Sequence, residues 1–103
     1  MKRIPRSQAL RYEIDHRFEP ILRVAEGESF EVETEDAASG RLRSADTLPT
    51  VENRPELRHV PPLVNPVAGP IHVEGARPGN LLAVTIEDIE VDSQGFTNLR
   101  PPA

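Results

Sequence analysis

Residues 65–89, NPVAGPIHVEGARPGNLLAVTIEDI, set two apolar alternations on either side of a turn written in glycine and proline. Ile71 and Val73 alternate with His72 and Glu74, and Leu82, Val84 and Ile86 alternate with Ala83, Thr85 and Glu87. A period of two is the spacing of a strand, whose successive side chains point to opposite faces. Between the two runs, Pro78 fixes φ near −65° and Gly79 is free to take positive φ, the pair that a type II turn requires. The stretch predicts a hairpin or a corner between two sheets, and the rest of the chain has to be fitted around it.

Other short strands are readable upstream. In residues 9–14, Leu10, Tyr12 and Ile14 alternate with Arg11, Glu13 and Asp15; after Pro20 comes a brief apolar step, Ile21, Leu22 and Val24. A turn at Ala25-Glu26-Gly27-Glu28 leads to the clearest alternation, Phe30, Val32 and Thr34 against Glu31, Glu33 and Glu35. Three carboxylates on one face mark that face as wet and the strand as half-buried. Laid over each other, residues 27–36 and 79–88 form an internal repeat of glycine turn, alternating strand and Glu-Asp. Two copies are too few for a solenoid. Either a sandwich or barrel reuses one turn-strand device, or a duplication left a pseudo-two-fold axis. Periodicity is lost over residues 37–62, where Pro55 and Pro61-Pro62 exclude a long helix, so this is read as one long loop. A last strand is expected at residues 96–99 and a flexible tail at 1–8. The fold class is all-β: one domain over residues 1–103, a small β-sandwich or partly open barrel of five to seven strands with one long irregular loop.

Composition removes several function classes. The net charge is −5 with scattered basic residues, which gives no footprint for a phosphate backbone, and four dispersed aromatics build no stacking platform. Nucleic acid is not an expected partner. The absence of cysteine excludes disulfides and thiolate chemistry. No run of about 18 apolar residues exists and the basic start lacks the apolar core of a secretory signal, so no membrane role is expected and the chain is read as soluble and cytoplasmic. Ile, Leu, Val and Phe make up about a quarter of the residues, above the roughly 20% below which disorder is expected.

GPIHVEGARPGNLL, residues 69–82, resembles the acetamidase/formamidase family of amide hydrolases, in which a Gly-Pro-aliphatic-x-Val-Glu-Gly-Ala-x-Pro-Gly-Asp-x-Leu run recurs. Asn80 stands where the family usually carries Asp. Residues 16–91 correspond to the N-terminal part of a family enzyme, about its first third. The resemblance implies hydrolysis of a small linear amide to carboxylate and ammonia by an enzyme whose remaining segments sit on a companion chain. The other implication is a truncated or repurposed module, a non-catalytic assembly domain whose strand edges pair with other copies. A homo-oligomer or a companion chain is the expected partner.

Amide hydrolysis through a Ser-Ser-Lys or Cys-Glu-Lys arrangement needs a nucleophile beside a lysine. The only lysine is Lys2, and no Gly-x-Ser-x-Gly elbow occurs. Metal-assisted hydrolysis remains, with zinc the favoured divalent ion. Candidate ligands are His16, His59 and His72 with Asp15, Asp36 and Glu74, at spacings that match no short metal motif. The resemblance selects His16, before Arg17-Phe18 where the family commonly has Trp second, and Asp36, before Ala37-Ala38-Ser39-Gly40, as metal ligands. Glu74 is the candidate general base, or a carboxylate binding the amides of the turn that follows. The plainer alternatives are that His16 is a turn residue, that Asp36 caps its own loop, and that His59 and His72 face solvent.

Overall fold

In the computed structural model, which describes residues 1–97, two turn-strand units lie side by side. The N-terminal strand β1 (Lys2–Ile4) precedes the first unit, which is β2 (Leu22–Val24), the Gly27 turn and β3 (Phe30–Val32). The second unit begins with β4 (Ile71–Val73) and continues through Gly75 and Gly79. Strands β1 and β3 pair in parallel, and so do β2 and β4. The described strands thus make two separate two-stranded sheets, β1-β3 and β2-β4, which touch where β1 lies against β2. The all-β class holds, since the only helical pieces among the described residues are 3₁₀ turns at Arg6–Gln8 and Pro55–Arg58. No closed sheet is present among those residues. None of the described helices is long and apolar enough to cross a membrane.

β2 and β4 are short because a turn cuts each. Glu28 N–H donates to Ala25 O at 3.1 Å and Gly27 sits at φ 77°, while the Glu28 carboxylate accepts Ala25 N–H at 2.8 Å. The β2-β4 ladder runs in register from Leu22 beside Ile71 to Val24 beside Val73. It is extended at one end by Ile21 N–H to Pro70 O and at the other by Glu74 N–H to Val24 O. Beyond β4, Asn80 N–H donates to Arg77 O at 3.0 Å with Gly79 at φ 93°, the turn that Pro78-Gly79 predicts.

Three expectations fail, each for a tertiary reason. Residues 1–8 are not a tail: β1 docks on β3, and Ile4 is 0% exposed. The basic run of this segment meets the carboxylates in and around β3, with Lys2 on Glu28, Arg3 on Glu31 and Glu33, and Arg6 on Glu33 and Glu35. Residues 9–14 do not form a strand; only Arg11 bridges Val67, antiparallel, and Ile14 stays exposed. The alternation at 82–86 finds no partner strand among the described residues, so residues 65–89 make neither a hairpin nor a corner between two sheets. The strand expected at 96–99 falls partly outside the described residues; Phe96 and Thr97 are in no strand. The 37–62 loop is irregular except for its 3₁₀ turn.

Among the described residues the buried apolar ones are Ile4, Ala9, Val24, Ala38 and Leu42, a small core. The radius of gyration is 16.5 Å, against about 13 Å for a compact domain of 100 residues. With so little buried, Ile4→Ala is expected to cost about 2–4 kcal/mol, read as a lower urea midpoint, and to release β1.

Charge contacts around β1 carry a pH dependence. The Ala25 amide and then the Lys2 ammonium hold the Glu28 carboxyl below its ordinary value, and the Arg6 amide and then the Arg3 guanidinium do the same for Glu33. Carboxyls lowered in the folded state contribute stability that is present above their unfolded pKa and lost as pH falls through the folded one. The thermal midpoint is therefore expected to be flat from pH 7 to about 5 and to fall through the carboxylate range below it. The Glu33→Gln variant should show a shallower fall, and an identical profile would remove Glu33 from this role.

Candidate functional site

The acidic face of β3 runs out at Glu35-Asp36, and Asp36 folds the next four residues around its carboxylate. Its Oδ1 accepts Ala38 N–H at 2.8 Å and Gly40 N–H at 3.1 Å, and Ser39 N–H donates to Asp36 O at 3.0 Å. This is the bonding that makes Asp a loop former. Ser39 and Gly40 follow at φ 58° and 75°. At Gly40 a Cβ would stand 2.6 Å from Arg6 Nη2 and 2.9 Å from Glu35 Oε2, so the missing side chain is what lets the Arg6–Glu35 pair cross the loop. Tyr12 and Ser39 share a hydroxyl hydrogen bond at 2.7 Å. Asp36 Oδ2 takes no hydrogen bond among the described residues.

A cleft of about 330 Å³ opens beside this loop, lined by Asp36, Ala37, Arg43, Gln94, Gly95 and Phe96. Two contacts bring residues 92–96 there: Arg43 Nη2 donates to Asp92 Oδ2 at 2.8 Å, and Gln94 Nε2 donates to Leu42 O at 3.0 Å. The Arg43 guanidinium holds the Asp92 carboxyl below the usual carboxylate range. The cleft therefore offers a carboxylate oxygen, the free carbonyl of the Gln94 side chain and an aromatic wall, at a volume near the small end of ligand pockets. Sequence reading named Asp36 and missed Arg43, Gln94 and Phe96, because nothing in a spacing of half the chain signals that they meet.

The other expected residues stand apart. The His16 side chain is 94% exposed, next to Asp15, whose carboxylate is occupied by Arg17 at 2.7 Å. That hydrogen bond lowers the Asp15 pKa. Glu74 is exposed; its amide closes the β2-β4 ladder, and its carboxylate binds none of the turn amides among the described residues. His72 is half-buried in β4 beside Arg23, and His59 is exposed with its Nδ1 2.8 Å from Pro61 O. No hydrogen bond or ion pair joins His16, Asp36 and Glu74 to one another, and no three His, Asp or Glu side chains among the described residues stand together as a metal-ligand set.

A family model described as the Acetamidase/Formamidase family matches residues 6–100. The chain belongs to the acetamidase/formamidase family. No curated protein and no solved structure gives a match. In this acetamidase/formamidase-family chain, the segment that carries the resemblance is β4 with the two glycine turns after it. Asn80 Oδ1 accepts Arg77 N–H at 2.9 Å, a task that needs an oxygen and no charge, so Asn serves there as Asp would.

Asp36→Ala removes the acceptor of two loop amides and is expected to lower stability by about 1–2 kcal/mol in urea unfolding. Asp36→Asn keeps an Oδ1 and should lose less. Gly40→Ala combines positive φ with a collision against Arg6 and should cost more than about 1 kcal/mol.

Proposed function

We propose that this chain is one part of an amide hydrolase acting on small linear amides, inactive alone and completed by a companion that carries the remaining site. The family match over residues 6–100 is the observation that carries the reading. In the assembled enzyme the Asp36 cleft binds the amide. The two small sheets are read as the open part of a sandwich or barrel that the companion closes. Where the enzyme uses a divalent ion, zinc being favoured, it would polarise the amide carbonyl or acidify a water. His16 and Asp36 Oδ2 would serve as donors of this chain, and Glu74 as the base. The described residues do not by themselves fit an ion, since these side chains are not gathered in one ligand set, so no step is routed through a metal here.

The purified chain is expected to release no ammonia from acetamide or formamide above background. Turnover by the chain alone overturns the fragment reading. Calorimetric titration of the chain alone with zinc is expected to show no stoichiometric binding; stoichiometric binding that His16→Ala leaves unchanged removes His16 from the site. A second reading, favoured by the exposed apolar residues of 81–91, is an assembly domain that kept the fold without the chemistry.

A further inference from the structure

Arg54 is a charged residue buried where nothing described above uses it. It is 8% exposed, and a buried guanidinium is costly unless its donors are engaged. Its backbone is tied down at the start of the Pro55–Arg58 turn: its N–H donates to Thr50 O at 2.8 Å, and its carbonyl accepts Leu57 N–H at 3.0 Å. In the side chain, Nη2 donates to Ala37 O at 3.4 Å, while Nε is buried with no hydrogen bond among the described residues. Glu56, two residues on, is held by Arg41 at 2.7 Å. Burial pushes the Glu56 carboxyl up, and the hydrogen bond from Arg41, helped by the charges of Arg41 and Arg54, brings it below its ordinary value. An apolar side chain would fill the place of Arg54 without the cost of burying a charge. What Arg54 adds is its charge and its bond to Ala37.

That bond falls on one end of a peptide unit whose other end holds Asp36. The Ala37 carbonyl accepts from Arg54 Nη2 and from Asn65 N–H at 3.3 Å, and the Ala38 N–H of the same unit donates to Asp36 Oδ1 at 2.8 Å. The unit is planar, so holding its oxygen fixes the direction of its N–H. Hydrogen bonds in a chain also polarise one another, and a cation on the carbonyl makes the N–H a stronger donor. With Gly40 N–H on the same Oδ1, the plane of the carboxylate is set.

We infer that Arg54 is a positioning residue for Asp36: through the Ala37–Ala38 peptide it orients the carboxylate at the cleft, engaging Oδ1 and leaving Oδ2 for the substrate. The functional half of this rests on the amide-hydrolase reading; the orientation stands on the hydrogen bonds alone. It also gives the long 37–62 loop a task. Arg54 and the Arg41–Glu56 pair both tie its Pro55–Arg58 turn to the Asp36 loop, and Arg41 N–H donates in turn to Ala38 O at 3.1 Å. The loop is thus the backing of the cleft wall formed by Asp36 and Ala37.

Hydrogen exchange followed by NMR on the purified full chain tests this. The Ala38 and Gly40 amides are expected to be protected in the unsubstituted chain. Arg54→Met keeps an unbranched stem and removes the charge and the donor. It is expected to speed exchange at Ala38 and Gly40 by about tenfold and to move the Ala38 amide proton upfield, while the Ile21 and Glu74 amides of the β2-β4 ladder keep their protection. Arg54→Lys keeps a charged donor and should restore most of both. An equal loss at Ile21 and Glu74 makes Arg54 a general stabiliser and overturns the proposal. So does an unchanged Ala38, or a lysine variant no better than methionine. Should Arg54→Met fail to fold, the unsubstituted chain still decides: an Ala38 amide exchanging like a free one overturns the proposal without any variant. None of these readouts involves amide turnover, so failure of the amidase reading and failure of the orientation are told apart.

Discussion

The fold depends on one short pairing, that of Lys2–Ile4 with Phe30–Val32. Its energy and its register come from different sources. Burying a side chain the size of Ile4 is worth about 1.5–3 kcal/mol, whereas an exposed ion pair is worth about 0–1 kcal/mol. Ile4 therefore supplies most of the stabilisation. The ion pairs of Lys2, Arg3 and Arg6 with Glu28, Glu31, Glu33 and Glu35 supply the alignment. A slip of one residue would carry Ile4 to the solvent face and move each base off its acid. The same docking places Arg6 across Gly40, which ties the N-terminus to the Asp36 loop and so to the cleft.

Around that pairing the two repeat units behave differently. The first finds β1 and becomes half of a sheet. The second ends β4 before Gly75, turns at Gly79 and presents residues 81–91 with no strand paired to them among the described residues. The few buried apolar residues and the large radius of gyration share this origin, because much of the β-forming sequence of the C-terminal part buries little among the described residues. The cleft lies where that segment returns to the body through Asp92 and Gln94. Its far wall therefore depends on where the span is held.

How much of this was legible differs by residue. The alternations at Phe30–Val32 and Ile71–Val73, and the positive φ at Gly27 and Gly79, were readable because local sterics fix them. Asp36 as the centre of its own loop was readable for the same reason, since its bonds reach only two and four residues on. The family was legible from the unbroken run at residues 69–82. The docking of residues 2–4 was not, since an apparently solvated basic start looks the same whether or not an acidic strand waits elsewhere in the chain. Nor were Arg43, Gln94 and Phe96, whose meeting depends on a path between them that no spacing encodes.

The sequence by itself determined the class of structure, the places where the chain turns and the family, all of them consequences of side-chain period, backbone freedom at glycine and proline, and a contiguous motif. Tertiary structure alone decided which strands pair, that they pair in parallel, and which alternation goes without a partner. A period of two states only that a segment can be a strand. Whether it becomes one depends on a second segment arriving with matching charge and an apolar face to bury. Among the described residues, 30–32 have that segment and 82–86 do not.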